Sequence, residues 1–250
     1  MSLAGRTVLI TRPSGQADAL AALLEAEGAR AERFALLEIL PQPDELALLA
    51  QQGAEADWLI FVSPSAIDCA WPSLGALPAS VRLACVGAAS AAKLERLSGR
   101  AVLCPREGSD STALLAESAL QAVRGQRIVI VRGKGGRAQL GETLSQRGAA
   151  LSHAEVYQRI DSEPDWPRFD QLLQQRQLDA CIVTSGEIAE RLFRLAGSAR
   201  IPALQCLQYC VPHPRIAEKL TALGVARIVT TRADDAALVA GLREWFSRHP

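Results

Sequence analysis

The chain has little of what most enzymes use for chemistry. Only three of its 250 residues are histidines. Its six cysteines (69, 85, 104, 181, 206 and 210) include no CxxC pair, and Cys85, Cys181 and Cys210 lie in apolar runs. They read as buried thiols rather than disulfides or metal ligands, and a metal site has no support. Aromatic residues make up 4%, too few for a base-stacking surface. Lys+Arg and Asp+Glu are 27 each, so the basic excess of a general nucleic-acid binder is missing. No apolar run reaches the ~18 uncharged residues of a membrane span, and the opening MSLAGRT holds no signal-peptide core. A cytoplasmic chain without membrane contact is expected. Neither GxGxxG nor GxxxxGK[ST] occurs: Gly133-Lys134-Gly135-Gly136 lacks the third glycine of the first motif, which disfavours nucleotide binding in those modes.

What is present is apolar and repetitive. Hydrophobic residues make up 49%, enough for a large core. In RIVIVRGKGGR (127–137) a β-branched run ends in a glycine-rich basic turn, followed by a helix pattern through Leu140 and Leu144. Anions bind at such strand-to-helix turns, because backbone N–H groups point outward there. TVLITRP (7–13) is a twin, with Leu20, Leu24 and Gly28 standing 120 residues before Leu140, Leu144 and Gly148. Further blocks repeat in the same order. Asp57–Ser63 matches Asp179–Ser185, Cys85-Val86 with Ala91–Leu94 matches Cys210-Val211 with Ala217–Leu220, and Ala113–Leu115 matches Ala237–Val239. The chain therefore reads as two copies of one βα unit set, with insertions in loops.

Strand and helix patterns alternate throughout. Strands are expected at 7–11, 30–39 (extended), 58–62, 82–86, 101–104, 127–131, 151–160, 180–183, 206–211 and 227–230. Helices are expected at 16–27, 45–52, from 63, from 87 to 97, and at 111–123, 138–146, 165–176, 188–196, 216–223 and 236–248, with a loop over Pro105–Asp110. This predicts two doubly wound parallel α/β sheets whose domains face one cleft. Pro41 and Pro43 mark one linker and 162–166 a second.

Residues at the expected strand ends form the candidate site: Arg12, Ser63, Gly87, Ser90, Arg132, Gly133, Arg137, Thr184, Ser185, His213 and Arg215. They are rich in hydroxyls and guanidinium groups and poor in carboxylates and thiols. Such a set holds an anion and does not suit nucleophilic or metal-assisted hydrolysis. Each has a plainer reading. Arg12 and Arg132 can be solvated or paired with a local acid, Ser63 and Ser185 can be helix N-caps, and His213 can be an ordinary loop residue. Tyr157, in AEVYQR (154–159), can donate a proton to a leaving oxygen or simply pack as a strand aromatic.

Taken in order, TVLITRP, FVS (61–63), CVG with SAAKL (85–94), IVIVRGKGGR, VYQR (156–159) and VTS (183–185) resemble the uroporphyrinogen-III synthase family over nearly the whole length. The resemblance implies two flavodoxin-like domains joined by a two-stranded linker, with 1–36 and 162–250 in one, 43–156 in the other, and linkers at 37–42 and 157–161. It implies a cofactor-free, monomeric lyase of tetrapyrrole (haem) biosynthesis that closes hydroxymethylbilane to uroporphyrinogen III, taking its substrate by hand-over from hydroxymethylbilane synthase. Tyr157 matches the family's cleft tyrosine, Ser63, Ser90, Thr184 and Ser185 its hydroxyl loops, and Arg12, Arg132 and Arg137 its basic positions. His213 and Ile216 stand where the family carries glycine and threonine, so Arg215 is expected to serve there. A two-domain small-anion binder without catalysis is the competing reading. A glycosyltransferase-like enzyme would need a nucleotide pocket and acidic metal ligands, which the sequence does not show.

Overall fold

The computed structural model describes residues 3–108 and 110–249; Ser109 of the expected loop Pro105–Asp110 lies outside them. The chain forms two compact units, Met1–Glu38 with Ile160–Pro250, and Ile39–Arg159.

The first unit is built on β1 (Thr7–Ile10), β2 (Arg30–Arg33), β9 (Ala180–Ile182), β10 (Gln208–Val211) and β11 (Ile228–Thr230), in the order β11-β10-β9-β1-β2. Numbered within the unit this is 2-1-3-4-5, the flavodoxin-like arrangement. The second unit holds β3 (Leu37–Pro41), β4 (Trp58–Phe61), β5 (Arg82–Cys85), β6 (Val102–Leu103), β7 (Arg127–Gly133) and β8 (Ala150–Asp161), ordered β3-β8-β7-β4-β5-β6, with the first two residues of β3 and the last two of β8 falling in the first unit. β1, β4, β9 and β10 are buried at every position, as expected of parallel strands covered on both faces. Apolar side chains on the two faces of the second sheet form separate clusters. One is centred on Leu59, Phe61, Val131 and Tyr157, the other on Ile60, Ile128, Ile130 and Leu144.

The strand registers reproduce the sequence repeat residue by residue, but with partners exchanged. Val8 faces Ala180 across β1/β9, and Ile128 faces Trp58 across β7/β4. Thr7 faces Arg30 and Arg127 faces Ala150. The first βα of each copy thus completes the sheet of the other, making the second unit a circular permutation of the first. Tyr209 faces Cys181 as Leu83 faces Leu59, so β5 and β10 correspond at an offset of 126. This corrects the sequence match by one residue: Cys210 corresponds to Ala84, and Cys85 to Val211.

Several elements differ from expectation. The extended stretch 30–39 is two strands in different sheets. The helix expected over 111–123 ends at Ala116, where Glu117 turns extended, and a 3-10 turn follows at Ser118–Leu120. The helix Ile201–Cys206, started by Pro202, has no counterpart in the expected elements and pushes the next strand back to Gln208. No helix among the described residues is long and apolar enough to cross a membrane.

Candidate functional site

In a doubly wound sheet, ligands bind beyond the strand carboxyl ends where the direction of winding reverses. That place lies between β4 and β7 in the second sheet and between β1 and β9 in the first. Both reversal points carry residues expected from sequence.

At the second-sheet reversal, β4 runs out through Val62 into Ser63. Its Oγ accepts the Ala66 N–H at 3.1 Å and so caps the helix Pro64–Leu74, with Pro64 in the first turn. Tyr157 comes from β8, one strand beyond β7, yet its Oη lies 3.0 Å from Ser63 Oγ. Adjacent strands are about 4.8 Å apart, so the ring has to cross β7. It crosses at Gly133, where a Cβ would stand 2.5 Å from ring carbons Cε2 and Cζ. A register irregularity between Arg132 and Gly133 sets Gly133 opposite Tyr157, and Lys134 N–H donates to the Tyr157 carbonyl at 2.8 Å. Tyr157 is 0% exposed, and the apolar cluster of the sheet encloses its ring, as the plainer reading of a packed strand aromatic expects. Arg159, two residues on and on the same strand face, donates from Nη2 to Tyr157 Oη at 2.8 Å. Arg159 was not among the candidate residues expected from sequence. The i+2 spacing in VYQR was the available signal.

The glycine-rich turn is held by its own arginine. Arg132 Nη2 donates to the Gly136 carbonyl at 2.8 Å and Nη1 to the Arg137 carbonyl at 3.3 Å, and Nη2 also pairs with Glu155 at 3.1 Å. Arg137 and Lys134 are exposed. Gly87 caps the helix Ala88–Ser98 at the end of β5 by backbone alone, and Ser90 is buried in that helix.

At the first-sheet reversal, buried Thr11 donates from Oγ1 to the Ile182 carbonyl at 2.8 Å. Arg12 makes a two-pronged pair with Asp235, at 2.5 and 3.1 Å, in the first turn of the helix Asp235–Arg248. Asp235 was not foreseen, being 223 residues away along the chain. Ser185 caps the helix Gly186–Ala196 through Ile188 N–H at 3.1 Å, with partly buried Thr184 before it. His213 caps the helix Pro214–Ala222, its Nδ1 accepting the Arg215 N–H at 3.1 Å, and both His213 and Arg215 are exposed.

Arg12 and Arg132 therefore hold strand ends in shape, whereas Arg137 is exposed. Arg12→Ala and Arg132→Ala are each expected to lower stability by about 1 kcal/mol, since partly buried charge-assisted bonds are lost. Arg137→Ala should leave the denaturation midpoint in place. Urea unfolding of the three variants checks this.

The site holds no activated thiol. Burial pushes the Cys85 and Cys210 thiols up to about 12, and raises that of Cys181 as well. All six cysteines are free. What the two reversal points present is hydroxyls, amides and guanidinium groups.

The family model described as uroporphyrinogen-III synthase HemD matches residues 18–240. The uroporphyrinogen-III synthase of Escherichia coli (strain K12) is 32% identical over 252 residues, covering 95% of this chain and 100% of that protein. That of Salmonella typhimurium (strain LT2) is 35% identical over 246 residues, with the same coverage. Among solved structures, a mutant uroporphyrinogen III synthase from Thermus thermophilus superposes with a TM-score of 0.61 at 20% identity, over 97% of this chain and 99% of that one. The Helicobacter pylori 26695 enzyme gives 0.58 at 15% identity, over 97% and 99%. These structural likenesses bear on the fold, whereas the two sequence relatives each cover 95% of the chain. The chain belongs to the uroporphyrinogen-III synthase family.

Proposed function

We propose that the chain closes hydroxymethylbilane to uroporphyrinogen III, with loss of water and inversion of the last pyrrole ring. The observation that carries this is family membership over the whole length, joined to a reversal point at which Ser63 and Tyr157 share a hydrogen bond. The residue inventory suits the chemistry. Loss of the terminal hydroxyl gives an azafulvene cation, attack at the substituted carbon gives a spiro-pyrrolenine, and its rearrangement gives the product. The cation is largely generated by the substrate itself. The protein's work is to hold the bilane bent, help the hydroxyl leave, and outrun the uncatalysed closure to isomer I. Neither a strong nucleophile nor a cofactor enters these steps.

Each unit by itself presents exposed donors at its strand ends that suit carboxylates such as those of the substrate: Arg137 and Lys134 in the second unit, Arg215 and His213 in the first. Gly87, Gly133, Thr184 and Ser185 add backbone and hydroxyl donors beside them. Ser63 stands at the leaving hydroxyl, with Tyr157 behind it. The chain works as a cytoplasmic monomer that receives its labile substrate from hydroxymethylbilane synthase, a reading that rests on family membership.

Incubation with freshly made hydroxymethylbilane, followed by separation of the isomers, tests the reading: isomer III in excess is expected, and isomer I alone refutes it. Arg137→Ala should raise KM about fivefold, equivalent to roughly 1 kcal/mol, with kcat within about twofold. Steady-state kinetics on that variant check the binding role.

A further inference from the structure

We infer that Arg159 is a positioning residue that sets the direction of a hydrogen-bond chain, Arg159 to Tyr157 to Ser63, so that the Ser63 hydroxyl proton is the one offered to the departing oxygen. The inference rests on the proposed function for the identity of that oxygen; the direction of the chain follows from the geometry.

A guanidinium has only donors. Tyr157 Oη therefore accepts from Arg159 at 2.8 Å, and its own proton has to go elsewhere. Ser63 Oγ, at 3.0 Å, receives it. Ser63 Oγ also accepts the Ala66 N–H at 3.1 Å. Both serine lone pairs are then filled, and the one unused valence is the serine O–H. Donors polarised by two accepted bonds are stronger than isolated ones. Tyr157 is wholly buried while Ser63 is only partly so, and of the two hydroxyls it is therefore the serine's that can meet a ligand.

Without Arg159 the order is no longer forced. Ser63 can then turn its proton inward to Tyr157 Oη, and the site presents an oxygen lone pair instead of a proton. The same side chains remain at the same distances, with their polarity reversed.

The proton account closes. The C–O bond of the substrate breaks with its electron pair on oxygen, and that oxygen takes the Ser63 proton and leaves as water. Ser63 takes the Tyr157 proton, and the phenolate remains against the Arg159 guanidinium. Ring closure and rearomatisation release one proton from the substrate, which returns through Ser63 to Tyr157.

Arg159→Met, Arg159→Lys, Tyr157→Phe and the Arg159→Met/Tyr157→Phe double variant form the test, in the full chain with hydroxymethylbilane. Arg159→Met is expected to lower kcat about tenfold, the lower side of what general acid assistance is worth, with KM within about twofold. Arg159→Lys, which also has donors only, should recover part of the loss. In the Tyr157→Phe background Arg159→Met should cost nothing further, because the two residues act in series. A raised KM with kcat intact, or full additivity, overturns the inference and makes Arg159 a direct substrate contact. Exchange of the Tyr157 hydroxyl proton with water, followed by NMR without substrate, separates this from the functional reading. Slow exchange in the unaltered chain and at least about tenfold faster exchange in Arg159→Met support the ordering. Equal rates overturn it, whichever isomer the chain makes.

Discussion

Tyr157→Phe is expected to lower turnover by roughly 10²-fold while costing the fold only about 1 kcal/mol. The two effects separate because ring and hydroxyl do different work. The ring belongs to the apolar cluster with Phe61, Val131 and Val156, and phenylalanine keeps that packing. The hydroxyl takes part in two bonds, to Ser63 and from Arg159. Losing it strands neither partner in the core, since Ser63 is partly exposed and Arg159 exposed. The penalty for an orphaned buried group therefore does not arise. What disappears is the proton behind Ser63. Single-turnover rates with hydroxymethylbilane, set beside urea unfolding midpoints, check both halves. A kcat within about twofold of the unaltered chain would take Tyr157 out of the reaction.

Gly133→Ala is expected to do comparable damage to turnover by a different route, and to destabilise the fold by about 1–3 kcal/mol, the range for overpacking a filled core. The new methyl would meet Tyr157 Cε2 and Cζ at 2.5 Å and Oη at 3.0 Å. The ring belongs to a wholly buried side chain and cannot swing to solvent, so either β7 or Tyr157 must shift, and the Oη–Ser63 bond goes with it. The neighbouring glycines serve as internal controls. A Cβ at Gly136 meets Arg132 Nε at 3.0 Å and Cζ at 3.2 Å, so alanine there disturbs the turn's own wrapping without meeting Tyr157. Gly135 has open space around it but a φ of +74°, so alanine there costs about 1–2 kcal/mol through the backbone and leaves Tyr157 in place. Three alanine variants of one turn should thus rank Gly133 far below the other two in activity. Stability should not follow the same steep order. Equal activity for all three would mean that the contact between Gly133 and Tyr157 has no bearing on the reaction.

Much of this was legible in the chain, because strand ends announce themselves. An apolar run such as WLIF followed by Val62, Ser63 and Pro64 specifies a buried strand, a cap and a helix start in seven residues. The duplication was equally plain. Its exchange of partners was not, because a constant offset reports which segments are alike and says nothing of which ones pair. Polar partnerships were the least accessible. Arg12 and Arg132 look alike in sequence, each closing a β-branched run, yet one pairs with Asp235 and the other wraps its own turn. Tyr157 showed both an apolar setting and a hydroxyl. Only the position of Ser63, 94 residues earlier, says where that hydroxyl points. Side-chain hydrogen bonds between distant segments depend on register, and a shift of one residue turns a side chain to the opposite face. That same one-residue sensitivity separated the Cys85 and Cys210 match from the true alignment of β5 with β10.

The measurement that bears most directly on the central claim is the isomer ratio formed from fresh hydroxymethylbilane by the Ser63→Ala variant beside the unaltered chain. If Ser63 offers the outward proton as proposed, the unaltered chain should give isomer III in excess. The variant should fall back toward isomer I as spontaneous closure overtakes it. Isomer III formed by the variant at the unaltered rate would contradict the account.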